Sequence, residues 1–270
     1  MVYRVIALVT AACLVAAVAA HALARALAGP GAPGLQVWVG ALLIADAVVL
    51  YAMLERRAPV FGRLVSRGRA DDPRFALSFD DGPNEPCTSQ ILDVLRADGV
   101  TATFFLLGEN VDRHPDAVRR LVADGHELGS YTYDHGELPL KGPRAIRRAI
   151  RQGNDAIVRA AGLPPALFRA PHGFRNSWVD RIARDEGCEP VAWTIGVFDT
   201  AKLGADAIRE RVRAGLSNGC ILLLHDRRGT EPGADASQLV AALPGIIADV
   251  RARGFGFATV GELMAGRRRQ

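Results

Sequence analysis

Five short apolar runs in this chain each end in reactive side chains, and that repeated design constrains the fold more than any other feature. The first, Phe75-Ala76-Leu77-Ser78, runs into Phe79-Asp80-Asp81-Gly82-Pro83; the others lie over residues 126–135, 168–173, 191–199 and 220–226. Continuous apolar runs of this length suit strands buried on both faces, which is how parallel sheets read in sequence. Between them, apolar residues recur at helical spacing: Ile91, Leu92 and Leu95; Val118, Leu121 and Val122; Ile146, Ile150 and Ile157; Ile208 and Val212; Ile246, Ile247 and Val250. Repeated strand-helix units predict an α/β fold with a parallel sheet and a site on the carboxyl ends of its strands. Periodicity by itself leaves a barrel and an open doubly wound sheet as alternatives.

Two adjacent carboxylates at a strand end are costly to keep idle. Successive strand side chains point to opposite faces, so the break at Gly82 and Pro83 is expected to turn Asp80 and Asp81 toward one site. One carboxylate can then ligate a metal while its neighbour acts as a base. His225, after the run Ile221–Leu224, has the ordinary titration range of a proton donor near neutrality.

Taken in order, the five segments resemble the five motifs of the polysaccharide deacetylase family, the NodB-type proteins of carbohydrate esterase family 4, from Arg74 to Met264. The first and last match closely, the third stands in Arg169-Ala170-Pro171-His172-Gly173, and the second and fourth are degraded. The resemblance implies a distorted (β/α) barrel of about seven units and hydrolysis of an N-acetyl or similar acyl group on an amino sugar. It implies Asp80 as general base, Arg169 as the residue orienting it, Asp199 as the acidic partner holding that network, and His225 as general acid. Within the third motif, following Pro171, the backbone amide of His172 would donate to the oxyanion; Leu223 would line the acyl pocket. The implied cofactor is a divalent metal, zinc first and cobalt, nickel or manganese as alternatives, with Asp81 as one ligand. The family adds two histidines four residues apart; His135 fills the second position and Tyr131 stands at the first. Ligation by a Tyr131 phenolate, a water, recruitment of His126 or His172, and loss of the metal are all open. Thr200 replaces the family's usual tryptophan, while Trp193 reads as core. Against the enzyme reading stands an inactive carbohydrate-binding or scaffold protein with a degraded metal site.

Hydrophobic residues make up 49% of the 270 residues, and the excess lies at the N-terminus. Val5–Ala24 and Leu35–Leu54 each have the length of a membrane-crossing helix, joined by the turn-forming stretch Gly29–Gly34. A cleaved signal peptide is the alternative for the first. Arg56, Arg57, Arg63, Arg67 and Arg69 follow the second span, against Arg25 and His21 in the loop, which predicts both termini in the cytoplasm of a bacterial-type inner membrane. Asp46 within the second span is expected to pack inside the hairpin. The domain plan is two transmembrane helices over 1–55, a basic linker over 56–73, a catalytic domain over 74–264 and a basic tail over 265–270. The net charge of +4 rests on arginine, Lys141 and Lys202 being the only lysines, and no run resembles a nucleic-acid reader; membrane lipid headgroups are the expected basic-linker partner. A membrane-bound domain facing the cytosol favours an isoprenoid-phosphate-linked amino sugar as substrate. The four cysteines lack metal-ligand spacing and read as free thiols.

Overall fold

The computed structural model describes residues 2–29, 34–54, 61, 64–201, 203–226 and 236–268. The expected hairpin turn through Pro33, the arginines at 56, 57 and 63, and Lys202 lie outside the described residues.

The strands are β1 (Arg74–Asp80), β2 (Thr103–Leu106), β3 (Glu127–Ser130), β4 (Leu167–Phe168), β5 (Glu189–Pro190), β6 (Ile195–Gly196), β7 (Ile221–His225) and β8 (Gly256–Phe257). The helices are α1 (Val2–Ala28), α2 (Leu35–Leu54), α3 (Cys87–Ala97), α4 (Gly108–Arg113), α5 (Pro115–Ala123), α6 (Pro143–Ala161), α7 (Val179–Asp185), α8 (Ala205–Gly215), α9 (Ser237–Ala252) and α10 (Val260–Arg268). All named strand pairs are parallel, in the spatial order β5-β4-β3-β2-β1-β7-β6, with β8 beside the start of β1. This is the curled α/β half-barrel that the sequence pattern and the family resemblance predict.

Strand periodicity divides the core into two layers. Phe75, Leu77 and Phe79 of β1, with Leu222 and Leu224 of β7, pack outward against Ile91 and Leu95 of α3, Ile208 and Val212 of α8, and Ile246 of α9. Ala76 of β1, with Ile221 and Leu223 of β7, faces inward among Phe105, Tyr131 and Trp193. A period of two therefore carries Ser78, Asp80 and His225 to the inner face as well. Six consecutive residues of β1, Phe75 to Asp80, are buried, as a central parallel strand requires.

Residues ahead of Arg74 belong to the domain, which corrects the linker boundary drawn from sequence. Val65 bridges Val191 just beyond β5, Arg67 bridges Cys220 just before β7, and the Thr194 hydroxyl donates to the Ser66 carbonyl at 2.5 Å. The Ala192 amide donates to the Val65 carbonyl, and the Gly68 amide to that of Gly219. This segment spans the opening between the edge strands β5 and β6, whose free backbone groups need partners. Its signal in sequence is masked by the arginines around it. Helix α10 continues to Arg268, into the stretch expected as a basic tail.

The apolar helices α1 and α2 pack on each other and leave Leu14, Val15, Val18, Val37 and Ile44 exposed. In α1, Thr10–Ala28 is long and apolar enough to cross a membrane; the apolar part of α2, Gln36–Tyr51, is shorter. The whole of α2, Leu35–Leu54, has 20 residues and at 1.5 Å per residue spans about 30 Å. Asp46 is buried and hydrogen-bonds with Cys13 across the helix pair. All four cysteines are free.

Removing residues 1–73 should lower the melting temperature relative to removing residues 1–60. The lost bonds and the burial of Leu64 and Val65 are worth on the order of 3–5 kcal/mol, or about 10 °C in a domain of this size. Thermal denaturation of the two truncated proteins measures the difference; equal melting temperatures would refute the structural role.

Candidate active site

Strand register brings the first and last motifs together. Asp80 sits opposite His225 where β1 pairs with β7, and opposite Phe105 where β1 pairs with β2. Arg169, one residue past β4, reaches across the barrel interior. Its Nη1 donates to Asp80 Oδ1 at 2.6 Å and to Ser78 Oγ at 2.9 Å, and its Nη2 to the Ala192 carbonyl at 3.2 Å. The guanidinium lies 3.9 Å from the Phe105 ring centre and 5.6 Å from that of Trp193. Both partners of the Arg169–Asp80 pair are fully buried. Burial raises Asp80 to about 6, with the Arg169 charge opposing it. Its second oxygen, Oδ2, has no hydrogen-bond partner among the described residues.

On the other wall, His225 Nδ1 lies 2.9 Å from Asp199 Oδ1, and the His225 amide donates to Asp199 Oδ2 at 2.7 Å. Burial disfavours the imidazolium, but the charge and hydrogen bond of Asp199, with Asp81 and Asp80 behind them, outweigh it and raise His225 to about 9. Asp199 was expected in the Arg169–Asp80 network; it belongs to His225 instead. The reason is topological: β6 pairs with β7, which sets the turn after β6 beside His225, whereas Arg169 arrives from β4 on the far side.

The loops at the carboxyl ends carry the backbone strain. Among the described residues, five that are not glycine have positive φ: Asp81 (78°), Thr132 (71°), His135 (55°), His172 (59°) and Phe198 (55°). All lie on these loops, where surrounding contacts must hold conformations that side chains disfavour. The turn of the second carboxylate is thus made by Asp81 itself, not by Gly82 and Pro83 as expected. Gly82 is required for space: a Cβ there would lie 2.1 Å from Asp226 Oδ2. Asp226 is fully buried and accepts from Thr88 Oγ1 at 2.7 Å, while Thr88 accepts from the Asn84 amide. Asn110 Nδ2 donates to the Asp81 carbonyl, and the Leu107 amide to that of Gly82. Ser78, Thr88 and Asn110 gave no sequence signal, because their roles depend on partners far along the chain; only Asp226 lay within a recognised motif.

The metal position is where expectation and structure part. Asp81 Oδ1 and His135 Nε2 are 3.4 Å apart, about the spacing of two ligands on one tetrahedral zinc. Burial lowers His135 to about 4, so the imidazole is neutral at ordinary pH, as a ligand must be. Tyr131 does not complete the set. Burial first, then the Asp80 and Asp81 charges, hold its pKa well above the ordinary phenol value, and its oxygen accepts the His172 amide at 3.2 Å. His126 is not recruited: its Nδ1 accepts from the Ala102 amide and its ring packs on Phe104, near the amino end of β3. The His172 ring stands edge-on to His135, 4.5 Å between centres. No three His, Cys, Asp or Glu side chains gather around one point among the described residues. The residues present therefore do not fit the family's three-ligand ion. The expected oxyanion donor is also corrected, since the His172 amide is already bonded to Tyr131. Pro171, which opens this turn, and Leu223 are both buried, Leu223 packing in the same cluster as Tyr131 and Trp193.

Comparison with known proteins agrees with this fold and motif order. Residues 67–191 match the polysaccharide deacetylase family model. The chain is 38% identical over 210 residues to a chitooligosaccharide deacetylase of Rhizobium leguminosarum bv. trifolii, covering 75% of this chain and 97% of that one. It superposes on the Bc1960 peptidoglycan N-acetylglucosamine deacetylase with a TM-score of 0.70 at 31% identity, covering 74% of this chain and 92% of the other. A mutant of BA3943, described as a CE4 family pseudoenzyme with restored enzymatic activity, gives a TM-score of 0.69 at 25% identity over 74% of this chain and 71% of that one. Fold and site define a parallel half-barrel of the carbohydrate-esterase type. The chain belongs to the polysaccharide deacetylase family, the NodB-type carbohydrate esterase family 4.

Gly82→Ala should both destabilise the domain and reduce turnover, because its methyl group can be accommodated only by breaking the Asp226–Thr88 anchor or shifting the Asp81 loop. Melting temperature and rate measured together check this; a variant equal to wild type in both would disprove the packing account.

Proposed function

We propose that the protein hydrolyses the N-acetyl group of an N-acetylated amino sugar of the chitooligosaccharide or peptidoglycan type. The observation that carries this reading is the pairing of Asp80, whose Oδ2 has no partner, with His225, held by Asp199 on the adjacent strand. Asp80 takes a proton from water as the water oxygen attacks the acetamide carbon. His225 then gives its Nε2 proton to the leaving nitrogen, the carbon–nitrogen bond breaks, and acetate and the free amine leave. Arg169 fixes the orientation of Asp80, Asp199 fixes the tautomer and orientation of His225, and Leu223 lines the pocket for the acyl methyl. A divalent ion would add Lewis-acid polarisation, but only Asp81 and His135 are disposed to hold one, and no step is assigned to it.

Turnover requires Asp80 deprotonated and His225 protonated. The rate should rise with pH through about 6, hold, and fall through about 9. His225→Ala should lower turnover by about 100- to 10,000-fold and abolish the alkaline limb. A pH–rate profile of wild type and variant with N-acetylated chitooligosaccharides measures both; an unchanged rate in the variant removes His225 from the mechanism. The inactive, carbohydrate-binding reading is favoured by Tyr131 and Thr200, and absence of all turnover in the same assay would carry it.

Location belongs to the same proposal. The apolar helices α1 and α2 anchor the domain in a membrane, and the arginines after α2 keep it in the cytoplasm, where an isoprenoid-phosphate-linked N-acetylhexosamine is the fitting substrate. Reporters active on one side of the membrane, fused after Gln270, should signal from the cytoplasm; periplasmic activity alone would refute this topology.

A further inference from the structure

Among the described residues, the hydroxyl of Tyr131 is a buried donor without an acceptor. The residue is 2% exposed, and its one hydrogen bond among the described residues is the one its oxygen accepts from the His172 amide at 3.2 Å. A phenol with its ordinary pKa of about 10 is protonated at neutral pH, so the O–H hydrogen is left to donate, and among the described residues it meets no acceptor. Leaving a buried donor unsatisfied is destabilising, so the arrangement suits a ligand that brings an acceptor oxygen.

The surroundings identify that oxygen. Tyr131 packs in one cluster with Leu223, which would line the acyl pocket, and its ring stands 5.4 Å from that of His135. A phenol oxygen also reaches about 2 Å farther from Cα than an imidazole Nε2, the length of one zinc–nitrogen bond. At this position a tyrosine oxygen therefore has the reach to stand where an ion held by a histidine would.

We propose that the Tyr131 O–H donates to the carbonyl oxygen of the substrate's acyl group and stabilises the oxyanion formed on water attack, replacing the metal ion as electrophile. The His172 amide acts through it. By donating to the phenol oxygen, that amide polarises the O–H and strengthens the bond it makes onward. No bond to Tyr131 forms or breaks: the proton stays on the phenol throughout, while Asp80 and His225 carry the proton traffic. This inference rests on the deacetylase reading and adds to it the identity of the electrophile.

The test uses the full chain, treated with chelator and assayed with N-acetylated chitooligosaccharides, beside zinc titration of the same samples. Chelated wild type should keep its rate and show no saturable zinc binding at micromolar concentrations. Tyr131→Phe, which keeps the ring, should retain the wild-type melting temperature and lose about 100- to 1,000-fold in kcat with KM little changed. Tyr131→His should gain saturable zinc binding, a readout independent of activity. Turnover that disappears on chelation and returns with zinc would overturn the donor role alone, as would wild-type zinc binding that Tyr131→Phe abolishes, or a wild-type kcat in Tyr131→Phe. Absence of turnover in wild type both with and without zinc would overturn the deacetylase reading and the donor role with it.

Discussion

The buried ion pair between Arg169 and Asp80 is the constraint around which the barrel is organised. A guanidinium and a carboxylate, both fully removed from water, are tolerated only when nearly every polar atom is engaged, and removing one partner of such a pair costs about 3–5 kcal/mol. Here Ser78 and the Ala192 carbonyl take up further donors, and Phe105 and Trp193 cover the cation. The contacts come from β1, β2, β4 and the segment after β5, so the pair joins strands that lie far apart in sequence. Among the described residues, Arg169 Nε and Asp80 Oδ2 are left without a partner, and the carboxylate oxygen is the atom available for chemistry.

The site reads as two opposed titrations in one buried, low-dielectric setting. Burial moves Asp80 up and would move His225 down, yet His225 ends higher because Asp199 stands against it and Arg169 is spent on Asp80. The allocation of the two countercharges, one arginine to the base and one aspartate to the acid, separates the roles of two neighbouring residues. Strain at Asp81, His135 and His172 is concentrated beside them, while the buried Asp226–Thr88 bond and the packing over Gly82 hold the first loop. Conformations this unfavourable persist when the surrounding contacts over-determine them.

Leu64 to Arg67 is built into the barrel, with Val65 bridging Val191 and Arg67 bridging Cys220. Nine residues lie between Leu54 and Leu64, ten Cα–Cα steps with a reach of at most about 35 Å.

Much of the fold was legible because it rests on local pattern. Continuous apolar runs gave the parallel strands, helical spacing gave the covering layer, and motif order identified the family and put Asp80, Asp81, Arg169 and His225 at strand ends. The sequence also exposed the anomaly at Tyr131, since a tyrosine where a ligand histidine is expected is visible as a letter. What it meant was not, because the partner of its hydroxyl is the amide of His172, some forty residues away. The same holds for Asp199, which sequence order assigned to Arg169 and strand pairing gave to His225, and for residues 64–67, whose arginine-flanked stretch concealed a piece of the barrel. Local sequence determines periodicity, charge and turn chemistry; only the closed tertiary structure decides which distant donor meets which acceptor, because burial forces each polar atom to find a partner wherever the sheet brings one.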